Sequence, residues 1–310
     1  MVVLRRLGGL TRACSLRGRS FTATALEKKG DNKMFGGHVQ KWTHASSVTS
    51  TPMTFSIFVP PQALESGTVV PVVYYLSGLT CTDDNVTQKA CAQRAAATHG
   101  LAIVMPDTSP RGAGIEGEDD SYDFGSGAGF YVDATVEKWA KNYNMYSYIT
   151  KELPEIVNMS FPVDSARVGI MGHSMGGHGA LTIAMRHPDV YRSVSAFSPI
   201  CNPTQCPWGE KAFGGYLGSV DAGKEHDATE LMLARGPFAG FNDILIDQGT
   251  NDNFYCGPVN QLLPANFAEA CEAKGQKCTV RMQEGYDHSY FFIASFMDDH
   301  VAFHAKNLKA

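Results

Sequence analysis

"VGIMGHSMGGHGALTIAM", residues 168–185, decides the fold. Its first residues favour a strand and its last favour a helix. At the junction stands Gly172-His173-Ser174-Met175-Gly176. A Gly-x-Ser-x-Gly turn between strand and helix holds a nucleophile on a strained elbow. The glycines have a steric purpose, because side chains at 172 and 176 would crowd the neighbouring strand and helix. The turn also puts the Met175 N–H at a helix N-terminus, where it can stabilise a developing oxyanion. The motif has only three fixed positions, so alone it also fits a glycine-rich turn with a passive serine. A hydroxyl needs a base to act at neutral pH. An acid and a histidine should therefore follow.

Strands and helices alternate outward from this point. Strands are expected at "TFSIFVPP" (54–61), "PVVYYLSGL" (71–79), "LAIVMPD" (101–107), "RVGIMGHS" (167–174), "RSVSAFSP" (192–199), "DILIDQG" (243–249) and "CTVRMQEG" (278–285). Helices are expected at 85–100, at 144–161 with a kink at Pro154, after Ser174, at 262–275 and along the tail from Ser289. This order predicts one domain, residues 34–310, with a mostly parallel sheet covered by helices on both faces.

The partners of Ser174 are expected on loops after later strands. Asp252 follows the strand 243–249, and His288 follows the strand 278–285, just before the last helix. Both lie where sites form in open α/β sheets, past the carboxyl ends of strands. Asp247 is a weaker acid, being inside its strand, and reads as a packing or capping carboxylate. Asp287 reads as a cap or a solvated acid. His173 and His178 are too near Ser174 to reach round to it with an acid behind them. His300 and His304, on the terminal helix, read as surface or packing residues. His288 would carry the proton and Asp252 would orient the imidazole. The second oxyanion donor is sought in "LSGLTCTDDN", where Gly78 permits close approach and the N–H of Leu79 is the candidate. Cys81 is either a small buried residue or a thiol at the rim of the site. "DFGSGAGFYVDA" (123–134) lacks the Gly-Lys-Ser/Thr end of a phosphate loop, so a conformationally special loop near the acyl pocket is expected there.

Composition narrows the rest. The 310 residues are 44% hydrophobic and 18% charged, with a net charge of −5, which gives no reason to expect nucleic acid as a partner. No run of 18 apolar residues suggests a membrane span. Eight cysteines are scattered without a C-x-x-C pair, so neither a zinc site nor a disulfide frame is expected. Residues 1–33 differ. They carry Arg5, Arg6, Arg12, Arg17 and Arg19, with no acidic residue before Glu27. That is the composition of an organellar transit peptide and points to mitochondria. The alternatives are a misassigned start or a disordered tail, and a cytoplasmic protein.

Long motifs then carry a resemblance. "YYLSGLTCTDDN" (74–85), "MPDTSPRGAGIEGEDD" (105–120), "FGSGAGFYVDAT" (124–135), "NYNMYSYITKELP" (142–154), "MGHSMGGHGAL" (171–181), "SAFSPICNPTQCPWGEKAF" (195–213), "DILIDQGTNDNF" (243–254) and "MQEGYDHSYFFIA" (282–294) occur in order. From about Gly36 to the C-terminus the chain resembles the S-formylglutathione hydrolase (esterase D) family. The resemblance implies an α/β-hydrolase fold and hydrolysis of S-formylglutathione to glutathione and formate, in formaldehyde detoxification, without a cofactor. It places the nucleophile on Ser174, the acid on Asp252, the base on His288, and the oxyanion donors on Leu79 and Met175. It gives Cys81 a link to thiol-reagent sensitivity, and it implies a homodimer. Family members usually begin near Lys33 and are cytosolic, so the N-terminus departs from the pattern. Rival readings are a broad short-chain carboxylesterase, an acyltransferase and a non-catalytic scaffold. The last would have been suggested by a missing triad residue, and none is missing.

Overall fold

The computed structural model describes residues 26–309. Residues 1–25 of the segment read as a transit peptide, with its five arginines, lie outside the described residues. β1 (Glu27–Met34), β2 (Gly37–Ala45), β3 (Pro52–Val59), β4 (Val70–Leu76), β5 (Ala102–Pro106), β6 (Val163–His173), β7 (Tyr191–Phe197), β8 (Ile244–Gly249) and β9 (Cys278–Gln283) form one sheet. Their order is β1-β2-β3-β5-β4-β6-β7-β8-β9. From β5 to β9 all neighbours are parallel, while β1, β2 and β3 add an antiparallel edge.

β4 shows why this sheet is covered twice. All of VPVVYYL is buried. Val72, Tyr74 and Leu76 enter one apolar cluster, and Val73 and Tyr75 enter the other. A strand apolar on both faces needs helices on both sides. One side carries α1 (Asp83–Lys89), α2 (Ala92–His99) and the terminal α8 (Tyr290–Lys309). The other carries α3 (Leu153–Ser160), α4 (Met175–Arg186), α5 (Pro207–Leu217), α6 (Ala228–Arg235) and α7 (Pro264–Lys274). Each fully buried aliphatic or aromatic side chain in these layers contributes about 1.5–3 kcal/mol.

Three expectations are refined. The helix expected over 85–100 is two helices, because Cys91 adopts a left-handed φ of 59° between α1 and α2. The two halves pack differently, α1 on β3 and β5 and α2 on α8. Gly100 does cap α2 in the left-handed conformation, as its position suggested. The kink expected at Pro154 becomes a π-helical turn, Tyr148–Glu152, just upstream. Proline has no N–H to offer the preceding turn, and the wider turn absorbs that loss. Finally, the boundary expected between 33 and 34 falls inside β1, which pairs with β2. Its sequence EKKGDNKM is almost wholly exposed, so it lacks the apolar alternation that marks a strand.

Candidate active site

Ser174 lies between β6 and α4 with φ 57° and ψ −118°. Such a conformation costs a non-glycine residue on the order of 1–3 kcal/mol, so its surroundings must hold it. They do so through the backbone. The Ser174 N–H donates to the Phe197 carbonyl at 3.0 Å, and its carbonyl accepts from His178 at 3.0 Å and Ile200 at 3.2 Å. The flanking glycines are sterically required. A Cβ on Gly172 would sit 2.1 Å from the Gly176 carbonyl oxygen, and one on Gly176 would sit 2.0 Å from that of Leu76.

The residues expected as acid and base come from the ends of β8 and β9. Asp252 follows β8 and caps the helical turn Asn253–Cys256, accepting from the Phe254 N–H at 2.9 Å. His288 follows β9, and its Nδ1 lies 2.5 Å from Asp252 Oδ2. A carboxylate only accepts, so Nδ1 carries the proton and Nε2 keeps its lone pair. Burial pushes the Asp252 carboxyl up, but the hydrogen bond and charge of His288 and the Phe254 N–H outweigh it and hold the group below its ordinary value. The His288 ring is fixed on two sides. Phe254 meets it edge-on at 4.8 Å, and His173 lies 4.4 Å away. His173 therefore packs on the His288 ring. Burial, then repulsion from His288, keeps the His173 imidazole well below its usual range and neutral.

Ser174 and His288 line one cavity of roughly 210 Å³ with Gly78, Leu79, Thr80, Cys81, His173, Tyr122, Trp208 and Phe254. Among the described residues, neither the Leu79 nor the Met175 N–H donates to a protein acceptor. The loop that carries Leu79 is clamped from outside. Tyr131 donates its hydroxyl proton to the Ser77 carbonyl at 2.8 Å, and Thr80 N–H donates to that of Gly127 at 2.9 Å. Thr108 and Arg111 donate to the Cys81 carbonyl at 2.5 and 3.0 Å. Phe130 and Tyr131 both have positive φ, and His178 Nε2 lies 3.0 Å from the Phe130 carbonyl. The segment 123–134 is thus conformationally special, and it clamps the loop that carries Leu79. Cys81 is buried, with its thiol pushed up by that burial and 3.9 Å from the Tyr290 hydroxyl.

Asp247 does not join this group. It is fully buried and receives Arg281, Gln283 and His300. Burial pushes it up, but His300 and Arg281 bring it to about 2. His300 and His304 are packing residues and not surface ones, both on the buried face of α8. Asp287 caps the next turn, accepting from the Ser289 N–H at 3.0 Å. Reading the sequence missed Trp208, Phe254 and Tyr122 as cavity walls, and Gly127, Thr108, Arg111 and Tyr131 as clamps. The adjacent positive-φ pair Phe130-Tyr131 leaves no local signal, because neither is glycine.

The family model described as "Putative esterase" matches residues 46–303. S-formylglutathione hydrolase of Mus musculus is 54% identical over 288 residues, covering 92% of this chain and 100% of that protein. The S-formylglutathione hydrolase of Arabidopsis thaliana is 53% identical over 289 residues, covering 93% and 99%. Among solved structures, an S-formylglutathione hydrolase from Agrobacterium tumefaciens superposes with a TM-score of 0.86 at 44% identity, covering 91% of this chain and 99% of that one.

Proposed function

We propose, for a chain that belongs to the esterase family and within it to the S-formylglutathione hydrolases, a two-step serine mechanism at the cavity of Ser174. The protein hydrolyses S-formylglutathione to glutathione and formate. Ser174 Oγ attacks the formyl carbon while His288 Nε2 takes its proton. The tetrahedral oxyanion sits between the N–H groups of Leu79 and Met175. Each such donor lowers the barrier by about 3 kcal/mol. The C–S bond then breaks, and His288 returns the proton to the departing sulfur. Water attacks the formyl ester on Ser174, with His288 again taking a proton. Collapse frees the serine and releases formate and a proton. Asp252 holds the imidazole tautomer and stabilises its cation throughout.

One observation carries this mechanism. His288, fixed through Nδ1 by Asp252, shares a cavity with a serine held at φ 57°. The test is hydrolysis of S-formylglutathione by the wild type and by Ser174→Ala. Fast turnover lost in the variant supports the account. Slow turnover beside brisk cleavage of p-nitrophenyl acetate would instead favour a broad short-chain carboxylesterase. The largely apolar wall of Trp208, Phe254 and Tyr122 is the feature that would serve either substrate.

The same proposal extends to assembly and place. The protein acts as a homodimer, a state supported by its family resemblance; a monomer mass in light scattering would refute it. It resides in mitochondria, supported by the five arginines and the absence of acid before Glu27. A fluorescent fusion to residues 1–33 that stays in the cytosol would refute that location.

A further inference from the structure

The cavity at Ser174, roughly 210 Å³, is smaller than the ~300–1,000 Å³ usual for small-molecule sites. It suits a formyl group and the sulfur but not a whole tripeptide. A second cavity, roughly 650 Å³, is lined by Lys89, Cys91, Ser289, Tyr290, Phe291 and Ala294. Tyr290 lines the second and reaches toward the first. Ser289 follows the base His288, and the Tyr290 hydroxyl lies 3.9 Å from Cys81 Sγ, which lines the first cavity.

The second cavity has one cation and an apolar floor. Lys89 Nζ stands 5.9 Å from the centre of the Tyr290 ring. Its charge also reaches the Cys81 thiol. Among the described residues no carboxylate pairs with Lys89, whereas Lys211 is taken by Asp123. Phe291 is 86% exposed. Glutathione brings two carboxylates and an ammonium on a short peptide. An extended chain covers about 3.3–3.6 Å per residue, so its carboxylates reach on the order of 7 Å beyond the cysteine. Cys81 and Lys89 both approach Tyr290, Cys81 Sγ at 3.9 Å from its hydroxyl and Lys89 Nζ at 5.9 Å from its ring centre.

Resting on the function proposed above, we infer that the cavity over Tyr290 and Phe291 holds the glutathione half of the thioester, with Lys89 on one of its carboxylates. Lys89 is then a specificity residue. It favours the glutathione thioester over a small ester that offers no carboxylate there. An exposed ion pair is modest, so its effect is up to about fivefold in binding and is weakened by salt.

The test compares kcat/KM on S-formylglutathione with kcat/KM on p-nitrophenyl acetate. It uses the wild type, Lys89→Ala, Lys89→Glu, Lys89→Arg and Lys211→Ala, at low and high salt. The ratio should fall about three- to fivefold in Lys89→Ala, through KM. It should fall further in Lys89→Glu and recover in Lys89→Arg. High salt should raise KM for S-formylglutathione in the wild type more than in Lys89→Ala. An unchanged ratio in both Lys89→Ala and Lys89→Glu, or a loss confined to Lys211→Ala, overturns the inference and leaves the function standing. A wild type that fails on S-formylglutathione removes the function and this inference with it.

Discussion

Two clusters in this molecule contain the same three residue types. At the cavity stand Ser174, His288 and Asp252. Between α8 and the sheet stand Ser195, His300 and Asp247. In the second cluster His300 Nε2 lies 3.1 Å from Asp247, and His300 Nδ1 lies 2.9 Å from Ser195 Oγ. Burial keeps His300 and His304 neutral. One proton arrangement then satisfies every member. Ser193 donates to His304 Nδ1, His304 Nε2 donates to Ser195, Ser195 donates to His300 Nδ1, and His300 Nε2 donates to Asp247. Ser195, His300 and His304 are wholly buried and line none of the cavities described. Residue types and hydrogen bonds therefore do not make a catalytic site. The cavity cluster differs in having space beside its serine, a strained turn beneath it and two backbone N–H groups with no acceptor.

This contrast can be broken by experiment. The largest difference is in the serines. Ser174→Ala should lower kcat on S-formylglutathione by at least about 10⁴-fold. Ser195→Ala should leave kcat within a few-fold and lower Tm, because it removes a buried hydroxyl worth about 1–2 kcal/mol to its neighbours. A Ser195→Ala enzyme as inactive as Ser174→Ala would make the two clusters one system.

The carboxylates should split in the opposite way. Asp252→Asn should cost about 10⁴ in kcat, by favouring the wrong imidazole tautomer. Asp247→Asn should cost about 2–4 kcal/mol of stability, since it strands His300 and weakens the hold on Arg281. Arg281 is about a third exposed, which keeps this below the cost of a fully buried pair. Urea unfolding beside steady-state kinetics reads both effects.

A smaller effect comes with pH. Burial lowers His178 to about 4 and His304 to about 3, both below the ordinary 6.5. Below pH 6.5 the unfolded chain takes up protons that the folded chain refuses. Stability from these groups is therefore complete above 6.5 and is lost as pH falls through 4 and 3. Asp247, near 2 when folded against 3.8 unfolded, contributes stability above 3.8 that is lost as pH falls through 2. Tm should decline from about pH 6.5 downward, in two stages. A Tm flat from pH 7 to 4 would show that the histidines are not buried neutral.

The parts of this arrangement that could be read from the sequence are those set by local geometry. Ser174, Asp252 and His288 each stand past the end of a parallel strand, and the strands announce themselves by apolar runs such as VPVVYYL. Gly172 and Gly176 announce the elbow because only glycine fits there. Long-range contacts leave no such mark. The Tyr131–Ser77 bond spans 54 residues, and the Asp247 cluster draws on β7, β8, β9 and α8. β1 was hidden because an exposed edge strand needs no apolar face. The break between α1 and α2 was hidden because Cys91 takes a conformation that glycine usually supplies.

The central claim is that access and activation, not composition, separate the two clusters. Its most direct test is to treat the folded enzyme with a fluorophosphonate, which labels activated serines, and to sequence the modified peptide by mass spectrometry. The account predicts one equivalent on Ser174, loss of S-formylglutathione hydrolysis in proportion to labelling, and no label on Ser195. Label on Ser195, or full labelling of Ser174 with hydrolysis intact, would contradict it.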